Sequence, residues 1–173
     1  MEKIILNTEE LNIILDRLCY QLIESCQDFS NTVLIGLQPR GVFFARKIIN
    51  RLAEIKLDEK IKYGELDSTF FRDDFRRKDN IKPYETNIEF LVEDKKVILI
   101  DDVLFTGRSI RSSLDSIVSF GRPKSIELLV LINRRFSREI PIEPKYVGKS
   151  VDVINFERVK VDWEKNNVVL LNK

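Results

Sequence analysis

Two adjacent carboxylates, Asp101 and Asp102, follow directly on Val97, Ile98, Leu99 and Ile100, and lead into Val103, Leu104, Phe105, Thr106, Gly107, Arg108 and Ser109. A continuous apolar run without alternation predicts a strand buried on both faces, as in a parallel sheet. The carboxylates then stand at the carboxyl end of that strand, the rim on which open α/β sheets bind ligands. The Thr-Gly pair opens a helical pattern. Thr106, Gly107 and Ser109 would therefore offer backbone N–H groups and hydroxyls at a helix N-terminus, which suits a phosphate. One strand-loop-helix thus holds acceptors for sugar hydroxyls or a metal beside donors for a phosphate. Adjacent residues at a strand end are expected to point in different directions, so the two carboxyls would not share one proton as a protease dyad does. Spread along a rim, they suit the 2′- and 3′-hydroxyls of a ribose carrying a 5′-phosphate. The competing readings are a helix cap and the metal-binding pair of phosphate-accepting receiver domains. Receivers place their acidic pair after the first strand, whereas this one lies beyond mid-chain.

A second segment of the same design lies earlier. Residues 32–37 form an apolar run, Gln38-Pro39-Arg40-Gly41 breaks it, and a helical pattern resumes over 42–52. Arg40 at that rim can hold an anion bidentately, and Gly36 and Gly41 allow close backbone approach. The plainer alternative is an ordinary turn with a surface arginine. A second anion beside a ribose 5-phosphate describes phosphoribosyl pyrophosphate (PRPP), with Mg²⁺ on its diphosphate near Asp101 and no residue marked as a metal ligand in its own right. Displacement at the anomeric carbon would develop oxocarbenium-like charge. A ring-side carboxylate, Asp101 or Asp102, would stabilise it, and Arg40 with Mg²⁺ would stabilise the departing diphosphate. The chain contains no histidine, which removes His-based triads, His-metal sites and the usual general base. A ring nitrogen positioned by backbone groups needs none of these. Residues 72–80 are dense in charge, beginning with Arg72, Asp73 and Asp74. A charge run is usually solvated surface. A long polar loop is also a common form of active-site lid, which would keep water from the sugar.

The elements that must position these groups follow from the rest of the chain. At 173 residues a single domain over 1–173 is expected. Formal net charge is +1, so no global field points to nucleic acid. Cys19 and Cys26 stand seven apart on one predicted helix, a spacing that favours neither a disulfide nor a metal site. No apolar run is long enough to span a bilayer, and the charged start Met1-Glu2-Lys3 does not resemble a signal peptide, so the cytoplasm is the expected compartment. Helices are predicted over 8–27, with Asn7 as N-cap and Glu10 at the capping-box position, over 42–52, and from 110 to the Gly121-Arg122-Pro123 stop. Buried strands are predicted over 32–37, 97–100 and 125–132. Residues 61–71 are strand-like, residues 133–142 irregular, and short strands are expected over 146–148, 151–156, 159–163 and 168–171. Strands alternating with helices indicate a parallel-sheet α/β domain with right-handed crossovers.

On these segments the chain resembles the type I phosphoribosyltransferases, residues 97–109 being similar to their PRPP-binding motif. More narrowly, Gly64-Glu65-Leu66-Asp67, Phe71-Arg72-Asp73-Asp74, residues 101–108, Gly121-Arg122-Pro123, Arg138-Glu139-Ile140-Pro141-Ile142 and Tyr146-Val147-Gly148-Lys149 resemble, in order, segments of the pyrimidine operon regulator/uracil phosphoribosyltransferase family. The resemblance implies a type I phosphoribosyltransferase fold: a central, mainly parallel sheet flanked by helices, with a small C-terminal hood over 133–160 that holds the base. It implies base contacts from Arg134, Ile140, Pro141 and Ile142, a pyrophosphate loop at Gln38-Pro39-Arg40-Gly41 and a lid over 69–84. It implies UMP made from uracil and PRPP with release of pyrophosphate, in a homodimer or higher homo-oligomer. PRPP contacts then fall on Pro39, Arg40, Gly41 and residues 101–109, with Asp101, Asp102 and Arg40 as the catalytic candidates.

Regulatory members of that family bind pyrimidine-operon mRNA through a dimer face formed by the first helix and the hood, rich in Thr, His and Arg. The matching first-helix positions here are Asp16, Arg17, Tyr20 and Ser25. Arg17 keeps the basic character, while Asp16 would repel phosphate. In the hood Arg135-Phe136 replaces a Gly-His pair, Ser137 is inserted and Glu143 replaces a basic residue, while Lys149 remains. Each good base contact is worth about 1–3 kcal/mol, so these changes weigh against RNA as a partner. The enzyme is the leading expectation. An RNA-binding regulator of pyrimidine gene expression, using the site as a nucleotide sensor, is the alternative. The same hood changes leave the sugar-phosphate half of the site better marked than the base half.

Overall fold

The structure, a computed structural model, describes residues 2–55, 61–73, 83–153 and 157–172. Its centre is the pair of apolar strands expected from the sequence. β2 (Thr32–Leu37) is buried at every position, and β4 (Lys96–Leu104) lies beside it in parallel, Thr32 opposite Lys96 and Gly36 opposite Ile100. β3 (Lys62–Leu66), β5 (Ser125–Arg135) and β6 (Tyr146–Asp152) complete a five-stranded sheet of order β3-β2-β4-β5-β6, parallel at every pairing. Such strands need cover on both faces. On one face α1 (Thr8–Cys26) and α2 (Gly41–Ile55) bring Leu18, Leu22, Phe44 and Ile48 onto Ile98 and Ile100 of β4. On the other, α3 (Arg108–Ile117) brings Ile110 and Ile117 onto Val97 and Leu99. The alternation of β4 thus divides the core into two halves.

The start of α1 has the expected capping box. Asn7 Oδ1 accepts from Glu10 N and Glu10 Oε2 accepts from Asn7 N, each at 2.9 Å. Cys19 and Cys26 are buried free thiols on α1, and burial pushes Cys19 up to about 12. Among the described residues no helix is long and apolar enough to cross a membrane.

The structure departs from the sequence reading at three places. β4 and β5 both run further than expected, through the acidic pair to Leu104 and on to Arg135, because they pair with each other as far as Leu104 and Asn133. The strand-like stretch 61–71 stops at Leu66 and turns through a 3₁₀ segment, Thr69–Phe71. The region expected as a hood over 133–160 is divided. Residues 133–135 and 146–152 belong to the main sheet, while a separate antiparallel sheet of order β1-β8-β7 joins β1 (Glu2–Leu6), β8 (Asn167–Asn172) and β7 (Glu157–Asp162). That sheet places Leu6, Val159, Val161 and Val168 in the same core half as α1 and α2. Pairing between the two ends of a chain leaves no local trace in hydrophobic periodicity, which is why the sequence pattern does not announce it.

Because β2 leaves the pairing at Gly36 and β4 continues with β5 alone, the last residues of β4 project beyond their neighbour. The loop after β2 folds over this projection so closely that a Cβ on Gly41 would stand 2.6 Å from the Ile100 carbonyl and 2.9 Å from Asp101 Cα. Both are backbone atoms in the sheet and cannot give way. Gly41→Ala should therefore cost about 1–3 kcal/mol through overpacking, read as a lower urea midpoint at unchanged m-value.

Candidate active site

The projecting end of β4, the loop after β2 and the residues after β3 enclose a cavity of about 400 Å³ whose walls include Pro39, Arg40, Asp67, Tyr84, Asp101 and Asp102. A second cavity of about 290 Å³ adjoins it along residues 103–110, and the two share Arg72, Asp101, Val103 and Ser109. The structure thus brings both strand-loop-helix segments onto one rim. Gly41 supports that rim from behind.

Asp102 is buried. Arg40 Nε donates to its Oδ2 at 2.9 Å, and Arg40 Nη2 donates to the Val161 carbonyl at 2.6 Å. Asp101, half-buried, turns back along the strand so that its Oδ1 accepts from the Asp102 N–H at 2.8 Å. This corrects the expectation that the neighbours diverge. Both carboxyls line the same cavity and lie close enough for each to feel the charge of the other. Burial, reinforced by the charge of Asp102, holds the Asp101 carboxyl well above the usual carboxylate range. Burial also raises Asp102, and Arg40 pulls it back.

The second cavity is built around the start of α3. Gly107 is its N-cap at φ +90°, a left-handed conformation that favours glycine. With no side-chain cap, the first-turn amides are left for water or an anion, apart from Arg108 N–H, which donates to Thr106 Oγ1 at 3.4 Å. The segment after β5 is fastened to this loop. Glu139 N and Ile140 N both donate to the Thr106 carbonyl, at 3.0 and 3.2 Å, and Arg138 Nη1 donates to the Phe105 carbonyl. Arg108 is shared between Glu139, at 2.5 Å, and Asp73. Arg72 Nη1 reaches Ser109 Oγ at 3.4 Å. Of the lid residues expected from the sequence, Arg72 and Asp73 are therefore tied to α3. Asp74 and most of the expected lid, residues 74–82, lie outside the described residues.

The residues expected to hold a base are placed differently. Arg134 is buried behind Phe105, its guanidinium carbon 4.0 Å from the ring centroid. Nη2 of Arg134 donates to the Glu157 carbonyl at 3.3 Å, and Nε has no partner among the described residues. Ile140 packs beside Gly107, Pro141 is exposed and Ile142 joins the core half beneath α3. Among the described residues the walls of the two cavities include none of these four. Two contributors were not singled out from the sequence. Asp67 accepts from Thr69 N at 3.0 Å, Thr69 Oγ1 at 2.5 Å and Tyr84 N at 2.8 Å, so one carboxylate holds the wall facing the acidic pair. Its trace in the sequence is an acidic residue just past a strand end. Val161 contributes only a carbonyl, which no residue type encodes. Among the described residues no group of three or more His, Cys, Asp or Glu side chains gathers in a way that could hold a metal.

The sequence matches the phosphoribosyl transferase domain family over residues 2–164. It is 41% identical over 177 aligned positions to the bifunctional protein PyrR of Actinobacillus pleuropneumoniae, covering 99% of this chain and 97% of the relative. It is 43% identical to the bifunctional protein PyrR of Gloeothece citriformis, covering 91% of this chain and 88% of the relative. Among solved structures, the hypoxanthine phosphoribosyltransferase of Trypanosoma cruzi superposes with a TM-score of 0.75 at 15% identity, covering 98% and 96% of the two chains. A hypoxanthine phosphoribosyltransferase of Staphylococcus aureus gives a TM-score of 0.68 at 23% identity, covering 87% and 78%. At these identities the structural likeness speaks for the fold.

The raised Asp101 carboxyl has a consequence for stability. Above its ordinary value of 3.8 the unfolded chain gives up this proton while the folded chain keeps it. The carboxyl therefore lowers stability as pH rises from that value toward its raised folded value. An asparagine side chain at this position would be neutral throughout and would still accept from the Asp102 amide. Asp101→Asn should thus raise the unfolding free energy of the ligand-free protein at pH 7.5, with the gain shrinking toward pH 4 in parallel urea titrations.

Proposed function

The chain belongs to the phosphoribosyl transferase domain family and to the PyrR proteins within it, and from that premise we propose that it transfers ribose 5-phosphate from PRPP to uracil, giving UMP and pyrophosphate. The observation that carries the reading is the meeting, on one rim, of the Arg40–Asp102 pair, Asp101 and the uncapped start of α3. Those are the donors and acceptors that a sugar bearing a 5′-phosphate and a diphosphate requires.

In this reading the 5′-phosphate takes the amides of residues 106–109, and the ribose hydroxyls hydrogen-bond Asp101 and Asp102. Arg40 keeps its bond to the Val161 carbonyl and turns its free N–H groups to the diphosphate. The C1′–O bond to the diphosphate breaks, a bond from C1′ to the base nitrogen forms, and the proton on that nitrogen leaves to the diphosphate or water. Positive charge that builds on the sugar is met by the acidic pair in a setting shielded from bulk water, where electrostatic stabilisation is strongest. A hard cation fits the oxygen-only donor set at the rim. Asp101 would be the protein group to hold Mg²⁺, with the diphosphate and water as its other ligands. When bound, Mg²⁺ offsets negative charge on the departing diphosphate.

The relatives' printed name, bifunctional protein, keeps the RNA-binding regulator in view as a second reading. The basic groups on that face are occupied within the chain. Arg17 Nη2 donates to the Val147 and Gly148 carbonyls at 3.0 and 2.6 Å, Lys149 Nζ to the Ile5 carbonyl at 3.0 Å, and Arg135 pairs with Asp152. Asp16 pairs with Arg51. We therefore put the enzyme first, acting as a homodimer or higher homo-oligomer.

Pyrophosphate release from PRPP, followed with uracil, cytosine, hypoxanthine and guanine in turn, should occur with uracil; no release with any of them overturns the proposal. Asp102→Asn should keep the fold and lower kcat by about 10²-fold or more. Arg40→Ala should raise KM for PRPP well beyond any change in KM for the base. A loss confined to the base would move Arg40 away from the diphosphate.

A further inference from the structure

Glu65, the fourth residue of β3, stands outside the walls of both cavities, yet its carboxylate gathers donors from three elements. Gln38 Nε2, from the loop after β2, donates to Oε2 at 3.0 Å. Arg46 of α2 donates to Oε1 from Nε at 2.9 Å, and its Nη2 lies 2.7 Å from the same oxygen. The Tyr63 hydroxyl donates to Oε1 at 3.1 Å. The side chain of Glu65 is only 14% exposed. Its backbone is fixed on both sides, by parallel pairing opposite Gly36 and by reciprocal 2.8 Å hydrogen bonds with Asn87. Gln38 is held twice, since its own N–H donates to the Leu66 carbonyl at 2.9 Å.

We propose that Glu65 is a positioning residue for diphosphate binding: it clamps Gln38 and the first turns of α2, and so sets where the Pro39-Arg40 segment presents its donors. This rests on the reading of that loop as the diphosphate site. The charge of Glu65 makes the proposal sharp. A carboxylate beside an anion site is by its charge unfavourable to the anion, and removing it also takes the carboxylate partner from Arg46. A role through charge alone therefore predicts tighter PRPP binding when Glu65 is neutralised. A role in positioning predicts weaker binding, because the loop donors lose their fixed geometry.

The test is calorimetric binding of magnesium PRPP and of magnesium pyrophosphate, with KM for the base measured alongside. Glu65→Leu should weaken both ligands about tenfold or more, the scale of losing a hydrogen bond to a charged group, with KM for the base within about twofold. Glu65→Gln keeps an acceptor for Gln38 and should recover much of the loss. Gln38→Leu leaves Glu65 paired with Arg46 and Tyr63 and should reproduce the weakening, so it decides the matter if Glu65→Leu fails to fold. The Glu65→Leu/Gln38→Leu double variant should be no worse than the poorer single one, as for two residues acting through one contact. Unchanged or tighter PRPP binding in folded Glu65→Leu, unchanged binding in Gln38→Leu, or additive losses in the double variant would overturn the proposal. Arg40→Ala separates the two levels of the argument. If it too leaves PRPP binding unchanged, the reading of the loop fails. If it weakens binding while Glu65→Leu does not, only the positioning role fails.

Discussion

Two carboxyl groups forced side by side into a partly dry site need a cation, and Arg40 supplies it. The bond from Arg40 Nε to Asp102 at 2.9 Å is the interaction on which the rest of the rim depends. Loss of one partner from a buried ion pair costs about 3–5 kcal/mol because a charge is left alone in low dielectric. The cost here is smaller, since the Arg40 side chain is 46% exposed. That partial exposure is what permits a second task. An arginine sealed in the core could not turn donors toward a ligand, and one fully in solvent would not restrain Asp102.

The architecture makes this pairing available. β4 outruns β2 by several residues and carries the acidic pair past the sheet's main cover. Gly41 lets the loop before it lie against the projecting strand, which brings Arg40 over Asp102. The Val161 carbonyl, from the small antiparallel sheet, fixes the other end of the guanidinium. Three distant parts of the chain thus determine one side chain, while Glu65 steadies the loop from below. In the free protein burial raises the Asp101 carboxyl, while Asp102 keeps Arg40. In the proposed reaction a ligand bearing hydroxyls and a diphosphate would take over these contacts.

Much of this was legible in the amino-acid sequence, and the boundary is physical. β2 is read to the residue because its apolar run, its burial and the Pro39 break coincide. The N-cap of α1 is legible because capping needs particular side chains at fixed spacing. The two strand-loop-helix units, and their meeting at one cavity rim, follow from the general behaviour of parallel sheets. What stayed hidden depends on long-range partners. The length of β4 past Asp101 is set by β5, and the union of residues 2–6 with 157–172 is set by tertiary packing. Asp101 turns onto the Asp102 amide, a local contact that no residue pattern announces. Val161 acts through its carbonyl and leaves no mark in residue type. The base side is least legible because Arg134 packs on Phe105, Ile140 beside Gly107 and Ile142 in the core, Pro141 is exposed, and none of the four lines either cavity.

The central claim is that one rim binds a ribose 5-phosphate by its phosphate at α3 and by its hydroxyls at the acidic pair. A crystal structure with UMP bound tests it most directly. The account predicts the phosphate on the amides of residues 106–109 and the ribose 2′- and 3′-hydroxyls within hydrogen-bond distance of Asp101 and Asp102. A nucleotide seated elsewhere, with Arg40 still closed on Asp102 and the start of α3 free of phosphate, would contradict it.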